Sequence, residues 1–482
     1  AGGGAAPPPA VPRFFQPAGS NASQSVVQQQ LIDLQMLLGT CGLHGGSPVD
    51  VPTIATLLPR LPGGAVPTLL ARSVWLHLLR SEFGPEVAQQ IGSDLSVGVA
   101  GKQGPSDGLA AQLDAGAFCR FFAAHIAGTS GDERLVRCLC GSAVGALSPV
   151  DFLPLTTEVV RRHPSLNFLA KEDVYRSHYE HTVTQRILFV LDPLRTALVT
   201  AAQLRRAGRP LWLALRSLES GEAVEDINLE RRFFSYEQFY VIFCKFVELD
   251  HDQDFELSLE ELQSYDNYSL STRAVTRIFL ELASQALPCG GLGFAEFVFF
   301  LLCEEDKASP TAASFWFRIL DMDADGKLSA HEMQFFYEEQ ASRVAALGHE
   351  AFGFADILCQ LTDAINPRSQ PSAPRGSITL ADLKRSRMVP LLVNTLTNVT
   401  KLLRSEVSDM HALREAQATP YLSDFDRWAR AEYAKCAEED EDEDEDDDIE
   451  DDDEYELAKA SFMSMLVEQT GCGVSRAQEA PF

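Results

Sequence analysis

The sequence predicts an all-α protein built from paired helix–loop–helix units. Apolar residues recur at three- and four-residue spacing through most of the chain, as in residues 233–248 and 332–347, and no regular run of alternating strands is present. A short apolar half-motif recurs between residues 113 and 383, and two acid-rich loops of twelve residues lie between helical segments. Recurrence at about 35 residues is typical of repeated supersecondary units, so we expect an elongated array of such pairs.

The half-motif places one apolar residue five positions before another. In a metal-binding helix–loop–helix hand, the first forms a short β-contact with a partner hand and the second opens the helix that leaves the loop. The expected pairs are Leu113 with Leu147, Val199 with Phe234, Leu257 with Leu292 and Leu328 with Ile378. The second apolar residues of these eight half-motifs, each five positions after the first, are Phe118, Phe152, Leu204, Phe239, Leu262, Phe297, Met333 and Leu383.

The loop of residues 321–332 has every feature of an intact EF-hand calcium loop. Calcium takes six to eight oxygen ligands, which such a loop supplies from positions 1, 3, 5, 7, 9 and 12. Gly326 permits the sharp bend at position 6, and we expect Ser329 to contribute through a water molecule. The predicted ligands are Asp321, Asp323, Asp325, Lys327 through its backbone carbonyl, and Glu332.

The loop of residues 250–261 has the same ligand types with a bulky residue at its bend. Phe255 occupies position 6, where a positive φ costs a large side chain about 1–2 kcal/mol. We therefore expect weaker calcium binding than in residues 321–332; the alternative is an acid-rich turn that keeps its fold without metal. The predicted ligands are Asp250, Asp252, Asp254, Glu256 through its carbonyl, and Glu261.

The other half-motifs lack ligands. Around Val199, position 1 is Asp192, but positions 3 and 5 are Leu194 and Thr196. We expect these hands to be structural partners that cover the exposed face of a working hand.

Charge and composition exclude several classes of function. The chain has 482 residues and a formal net charge of −29, a field that repels nucleic acid and anionic membranes. It has no run of 18 apolar residues and no catalytic motif such as a P-loop, G-x-S-x-G or H-E-x-x-H. We expect a non-enzymatic protein that contacts neither nucleic acid nor membrane. The first residue is Ala rather than Met, which leaves a preceding segment open.

The expected organisation has six parts. Gly, Ala, Pro and Ser dominate residues 1–25, and residues 438–456 carry 17 acidic side chains among 19, so we expect neither segment to fold. Between them, the patterns predict a helical region with degenerate hands over residues 26–190. One EF-hand domain follows over residues 191–310 and a second over 311–437. A C-terminal tail occupies residues 457–482, of which 457–467 could form a short helix.

Several longer phrases go beyond a general EF-hand pattern. They are Phe152-Leu-Pro154, His163-Pro-Ser-Leu-Asn-Phe-Leu169, Phe233-Phe-Ser-Tyr-Glu-Gln-Phe-Tyr-Val-Ile-Phe-Cys-Lys-Phe246, Leu270-Ser-Thr-Arg273, Glu304-Glu-Asp-Lys307 with Pro310-Thr311, Phe315-Trp-Phe-Arg318, Phe335-Phe-Tyr-Glu-Glu-Gln340, Ile378-Thr-Leu-Ala-Asp-Leu-Lys-Arg385 and Asp426-Arg-Trp-Ala-Arg-Ala-Glu-Tyr433. Together they closely resemble the B'' class of regulatory subunits of protein phosphatase 2A over residues 105–437. Residues 11–19 resemble that family's N-terminal Pro-Phe-Phe motif.

The resemblance implies a calcium-binding regulatory subunit that docks on the helical-repeat scaffold (A) subunit and holds phosphoprotein substrates near the catalytic (C) subunit. The phosphatase chemistry would belong to that other chain. Pro193 and Leu194, the Pro/Ser-rich insertion at 367–375 and the acidic run depart from the family pattern. The alternative function is an EF-hand scaffold that organises the cytoskeleton or centrosome. The expected location is cytoplasmic, with nuclear or centrosomal placement left open.

Overall fold

The structure is a computed structural model that describes residues 20–83, 113–129, 131–139, 146–169, 173–283, 290–367, 377–406, 419 and 421–446. The chain divides into two compact units, residues 1–145 and residues 146–482. Strands in the described part are two residues long and occur in three antiparallel pairs, whereas helices account for most of the rest. The all-α EF-hand fold predicted from the sequence is therefore confirmed.

The helices follow one another with short connections. The α-helices are α1 (Ser20–Thr40), α2 (Val51–Leu57), α3 (Ala71–Phe83), α4 (Ala115–Phe121), α5 (Gly131–Leu139), α6 (Leu153–Arg162), α7 (Asp173–Leu191), α8 (Ala201–Ala207), α9 (Arg209–Ser220), α10 (Tyr236–Leu249), α11 (Leu259–Gln263), α12 (Thr272–Ala283), α13 (Phe294–Glu305), α14 (Pro310–Leu320), α15 (Ala330–Ala346), α16 (Phe354–Ile365), α17 (Leu380–Ser386), α18 (Val389–Thr397), α19 (Val399–Glu406) and α20 (Asp424–Asp446). Single helical turns occur at Leu58–Arg60, Thr68–Leu70, Phe122–Ile126, Pro149–Phe152, Pro164–Leu166, Glu222–Val224, Ile227–Leu229 and Tyr265–Tyr268.

The first unit contains a hand pair that the sequence analysis did not recognise. The backbone N–H of Val49 donates to the carbonyl of Leu113 at 2.9 Å, beside a β-bridge between Pro48 and Asp114. The side chains of Asp50 and Asp114 cap α2 and α4. The predicted pairing of Leu113 with Leu147 is therefore wrong, since Leu113 meets a half-motif at Val49 instead.

The second unit contains three hand pairs joined by two-residue strands. These are β1 (Ala146–Leu147) with β2 (Val199–Thr200), β3 (Glu256–Leu257) with β4 (Leu292–Gly293), and β5 (Lys327–Leu328) with β6 (Ile378–Thr379). Leu257 lies opposite Leu292 and Leu328 opposite Ile378, as predicted. Val199, however, lies opposite Leu147 rather than Phe234. Phe234 precedes α10 and is fully buried, so its half-motif marks a core position and not a hand.

One capping arrangement explains why the half-motif recurs even without metal ligands. In each of five hands, a Ser or Thr directly after the β-contact caps the following helix. An acidic or Gln side chain three residues later returns the hydrogen bond, forming a capping box. The pairs are Ser148 with Asp151, Thr200 with Gln203, Ser258 with Glu261, Ser329 with Glu332, and Thr379 with Asp382.

Aromatic side chains fill the core between the hands of the second unit. Phe246 lies 5.4 Å from Phe297 between ring centroids, and both rings are fully buried. Trp316 is also fully buried, and its indole N–H donates to the Cys303 carbonyl at 2.9 Å. These contacts fasten the helices that enter the two intact loops to α13, and thereby position the loops.

The ends of the described region differ from expectation. Helix α1 begins at Ser20, inside the segment expected to be unfolded through residue 25. Helix α20 continues to Asp446, so the first nine residues of the acidic run are helical. Elongating a helix that already packs on α10 costs far less than nucleating a new one, despite the like charges. Residues 11–19, 447–456 and 457–467 and most of the 367–375 insertion lie outside the described residues.

None of the described helices combines the length and hydrophobicity that a membrane span requires.

Candidate metal centres

Each intact loop is held between two helices and bends at the expected positions. Residues 250–261 connect α10 to α11, and residues 321–332 connect α14 to α15. Both loops have left-handed backbone at positions 4 and 6, with φ values of 60° at Gln253, 62° at Phe255, 57° at Ala324 and 79° at Gly326. The backbone therefore has the same shape in both loops, whichever residue occupies position 6.

Three aspartates converge in each loop. Carboxylate oxygens of Asp250, Asp252 and Asp254 lie within 4.8 Å of one another, and the same holds for Asp321, Asp323 and Asp325. In both loops the position-1 aspartate is buried and the other two are exposed. Three negative charges this close repel one another, and an all-oxygen set is the environment that hard divalent cations prefer.

The position-1 aspartates differ in how completely they are hydrogen-bonded. Asp250 accepts from the N–H of Asp254 at 3.2 Å through Oδ1 and from that of Phe255 at 3.0 Å through Oδ2. Asp321 accepts from Gly326 at 3.0 Å through Oδ2, whereas its buried Oδ1 has no partner among the described residues. A buried carboxylate oxygen without a donor is costly, and a cation in the loop would satisfy it.

The position-12 glutamates close each loop from the opposite side. Oε1 of Glu261 accepts from the His251 N–H at 2.9 Å, while Oε2 accepts from the N–H and hydroxyl of Ser258, each at 2.8 Å. Glu332 repeats the pattern with Met322 at 2.7 Å and Ser329 at 2.8 Å. Each carboxylate oxygen retains acceptor capacity, so these bonds hold the glutamate in position without blocking a cation.

The electrostatic setting distinguishes position 1 from position 12. Burial, together with the nearby Asp254 and Glu261 charges, raises the pKa of Asp250; burial with Glu332, Asp325 and Asp323 raises the pKa of Asp321. Burial alone would raise the pKa of Glu261, but hydrogen bonds from Ser258 and the His251 backbone lower it. Position 1 is thus where added positive charge relieves the most unfavourable interaction.

Phe255 has a packing role that the sequence analysis missed. Its half-buried ring stacks on Phe246, with centroids 6.3 Å apart, and lies 5.7 Å from His178. These contacts fasten the bend of the first loop to α10 and α7. The aromatic ring therefore offsets part of the strain of its left-handed backbone.

Of the ten predicted site residues, the structure brings the six aspartates close together, three in each loop. Glu256 and Lys327 lie in strands β3 and β5, and Glu261 and Glu332 lie in the first turns of α11 and α15. Sequence reasoning predicted Ser329 as a water-mediated ligand but missed that its hydroxyl donates to Glu332. It also overlooked Ser258, which does the same for Glu261. The Ser-x-x-Glu spacing of a capping box was the signal available in the sequence.

The hand around Val199 shows how the loop shape survives without ligands. Asp192 at position 1 is buried and accepts from the Thr196 hydroxyl and the Ala197 N–H, both at 3.0 Å. Arg195 and Ala197 at positions 4 and 6 are left-handed, as in the intact loops. Side-chain and backbone donors here replace the cation. This hand pairs with the hand at Leu147 and not with either intact loop, so the expectation that it covers a working hand is wrong.

Comparisons with known proteins agree on one family. A family model described as an EF-hand domain matches residues 131–219. The mouse delta form of the B''-type regulatory chain of serine/threonine-protein phosphatase 2A is 39% identical over 304 residues, which is 62% of this chain and 60% of that protein. The human beta form of the same regulatory chain is 38% identical over 62% of this chain and 51% of its own length.

A solved structure of a PP2A PR70 holoenzyme contains a similar chain. It is 39% identical, has a TM-score of 0.51, and the match covers 57% of this chain and 98% of that one. This chain spans between a quarter and three fifths of the length of the most similar curated relatives. This chain belongs to the family of B'' regulatory subunits of serine/threonine-protein phosphatase 2A.

Proposed function

We propose that this chain is a calcium-binding regulatory subunit of a protein phosphatase 2A holoenzyme. It docks on the scaffold subunit, directs substrate choice by the catalytic subunit and performs no catalysis itself. The observation that carries the proposal is the pair of intact EF-hand loops within a chain that is 38–39% identical to named B'' regulatory subunits.

The calcium part of the proposal is supported by the loop chemistry. The ligands are Asp250, Asp252, Asp254, Glu256 and Glu261 in the first loop and Asp321, Asp323, Asp325, Lys327 and Glu332 in the second. Two close carboxylate triads and an unpartnered buried oxygen on Asp321 favour a divalent cation that accepts six or more oxygens.

Calcium is expected to alter binding to the phosphatase core. A cation draws Glu261 or Glu332 inward and sets the angle between the flanking helices, which carry buried aromatic residues such as Phe246 and Trp316. Couplings of this kind change affinity by about 5- to 150-fold. Calcium should therefore change the affinity for the scaffold subunit within that range.

The test measures affinity of the full chain for a scaffold–catalytic heterodimer, in calcium and in chelator. A variant with Asp250→Asn and Asp321→Asn should give the chelator affinity under both conditions, while the matched charge variant Glu260→Gln should behave as wild type. Equal affinities in calcium and chelator, with the protein folded in both, would contradict calcium regulation but not assembly.

Affinity purification from cells tests assembly itself. Recovery of scaffold and catalytic phosphatase chains supports the proposal. Recovery of tubulin-associated proteins without them would instead support the cytoskeletal or centrosomal alternative.

A further inference from the structure

The two intact calcium loops belong to different hand pairs, and one helix contacts both pairs. The first loop pairs through β3 with β4, and the second through β5 with β6. Among the described residues, no strand of one pair is hydrogen-bonded to a strand of the other. Helix α12 follows α11 and precedes β4, so it is the entry helix of the hand that is paired with the first loop. The same helix also contacts both helices that flank the second loop, α14 and α15.

Helix α12 is connected to the first loop through α11. Glu261, the last predicted ligand of that loop, lies in the first turn of α11, and α11 packs on α12. The side-chain amide of Gln263, at the end of α11, donates to the hydroxyl of Thr272, at the start of α12, at 2.5 Å. Because α11 has only five residues, we expect a displacement of Glu261 to displace the start of α12 as well.

Arg277 of α12 holds the end of the helix that enters the second loop. Its Nη2 donates to the carbonyls of Arg318 at 3.1 Å and Asp321 at 3.2 Å, and its Nε donates to the Ile319 carbonyl at 3.2 Å. The last carbonyls of a helix have no partner within it, so a guanidinium group here caps them and complements the negative end of the helix dipole. Glu281, one turn later on α12, pairs with Arg318 at 2.9 Å. These contacts fix the backbone of Asp321, whose side chain is the first predicted ligand.

Arg273, one turn before Arg277, holds the helix that leaves the second loop. Its guanidinium carbon lies 4.2 Å from the centroid of the Phe335 ring, and its Nη1 donates to the Phe335 carbonyl. Residues four apart on a helix are neighbours on one face. Two arginines on one face of α12 thus hold the two helices that flank the second loop, and so constrain the angle between α14 and α15. That angle is what changes when a calcium loop of this type is filled.

We propose that α12 couples the two calcium loops, so that filling one raises the calcium affinity of the other, and that Arg277 is the positioning residue on which this coupling depends. Each filled loop fixes the helices that flank it. Helix α12 needs to be fixed only once, so the second ion to bind meets a smaller entropy cost than the first. By reciprocity, each loop raises the affinity of the other by the same factor. The proposal rests on calcium binding by both loops and adds its regulation to the proposed function.

Arg277→Lys separates positioning from charge. The substitution keeps the positive charge beside the second loop but replaces a planar fork of donors with one ammonium group, which cannot hold three carbonyls in the same geometry. Any direct repulsion between residue 277 and a cation in the loop is therefore retained in the variant.

Calorimetric calcium titration of the full chain measures the coupling. Asp321→Asn leaves the first loop to bind and Asp250→Asn leaves the second, so each variant gives one dissociation constant. The coupling factor is the product of these two constants divided by the product of the two constants of the wild-type chain. It does not depend on which loop fills first. We expect a factor of at least about five.

The same three titrations are repeated with Arg277→Lys added to each chain, where we expect a factor of about one. A merely structural role for Arg277 would weaken the loops equally in every chain and leave the factor at its wild-type value. Arg273→Lys, on the side of the other flanking helix, should also reduce the factor, and it decides if Arg277→Lys fails to fold. Arg216→Lys, at an exposed position of α9, is the matched control and should keep the wild-type factor.

Two results would overturn the proposal. One is a wild-type factor of about one or below, and the other is a wild-type factor that survives in the folded arginine variants. A factor of about one with both loops binding would overturn the coupling and leave the calcium-binding function standing. Absence of calcium binding by the wild-type chain would overturn both.

Discussion

Position 6 of each calcium loop shows how one residue balances backbone and packing. Gly326 adopts φ 79° at little cost, whereas Phe255 adopts φ 62° against the preference of a bulky side chain. The Phe255 ring recovers stability by stacking on Phe246 and packing beside His178. The first loop is therefore fastened to its neighbours, while the second keeps an unpartnered oxygen on Asp321 for a cation.

This contrast ranks the two sites. We predict that residues 321–332 bind calcium more tightly than residues 250–261, because Gly326 is unstrained and Asp321 has an unsatisfied oxygen. Calorimetric titration of Asp321→Asn should lose the tighter binding event, and Asp250→Asn should lose the weaker one. Glu260→Gln, which removes a charge at position 11 of the first loop without removing a ligand, should retain both. Loss of the tighter event in Asp250→Asn would reverse the ranking.

Asp306 provides a pH-dependent prediction. Burial, with Asp424 and Asp426, raises the pKa of Asp306 to about 6 from an ordinary 3.8. The folded state then binds this proton more tightly than the unfolded state, so ionised Asp306 destabilises the fold above about pH 6. The penalty disappears as the pH falls to about 4. Asp306→Asn should raise the free energy of unfolding by about 1–2 kcal/mol at pH 7.5, with no gain at pH 4.

Urea denaturation at the two pH values measures this difference. The exposed Asp363→Asn serves as the control, since it removes one carboxylate without removing a buried charge. Destabilisation by Asp306→Asn at pH 7.5 would show that the carboxylate makes a favourable interaction in the fold.

At the scale of elements, a strained turn connects the two calcium hands. Asp266, Asn267 and Tyr268 are all left-handed, directly after α11 leaves the first loop. Arg343, near the end of α15, donates to the carbonyls of Tyr268 and Ser269. Helix α15, which leaves the second loop, thus holds the turn that follows the first loop. The strain persists because α11 on one side and Arg343 on the other constrain the turn.

Glu339 makes the second connection, and its loss should be measurable. Its carboxylate accepts from the N–H groups of Thr272 at 2.6 Å and Arg273 at 3.0 Å, and so caps α12 from α15. Glu339→Ala should lower the free energy of unfolding by about 1–2 kcal/mol, since it removes a charged helix cap. The neighbouring Glu338→Ala should lower the free energy of unfolding by less than about 0.5 kcal/mol. Glu338 is 56% exposed, and its 3.7 Å ion pair with Arg273 is therefore weak.

Chemical denaturation in calcium compares the two variants. If Glu339→Ala and Glu338→Ala lower the free energy of unfolding equally, the Glu339 carboxylate does not act as a cap.

The elements also show what the sequence could and could not predict. The convergence of three aspartates in each loop was predictable because calcium requires oxygens at particular spacings, and the pairs at Leu257 and Leu328 followed from adjacent half-motifs. The pairing of Leu147 with Val199 was missed because the half-motif at Val49 went unrecognised and Phe234 was counted as a hand, which shifted the first two pairs by one member. Phe234 satisfied the half-motif only because buried helix positions recur at similar spacing.

At the scale of the whole molecule, α20 fastens the C-terminal part of the described chain to α10. Gln238 donates to Asp426 at 2.8 Å, Lys245 lies 3.2 Å from Glu432, and Tyr433 packs on Tyr240 with centroids 6.2 Å apart. These contacts all precede residue 437. The helix continues beyond them into the acidic run, which carries 17 of the chain's 69 acidic side chains.

We predict that deletion of residues 438–456 leaves the fold almost unchanged. The run has almost no apolar surface to bury, and its charges repel one another, so its removal should shift Tm by less than about 2 °C in calcium. Phe425→Ala is the positive control, because that ring is 4% exposed on the packed part of the same helix and its loss should cost about 3–5 kcal/mol. Calorimetry at low salt and at 0.5 M salt separates packing from charge effects. A large drop in Tm at low salt that disappears at high salt would show that the run binds a basic surface of this molecule.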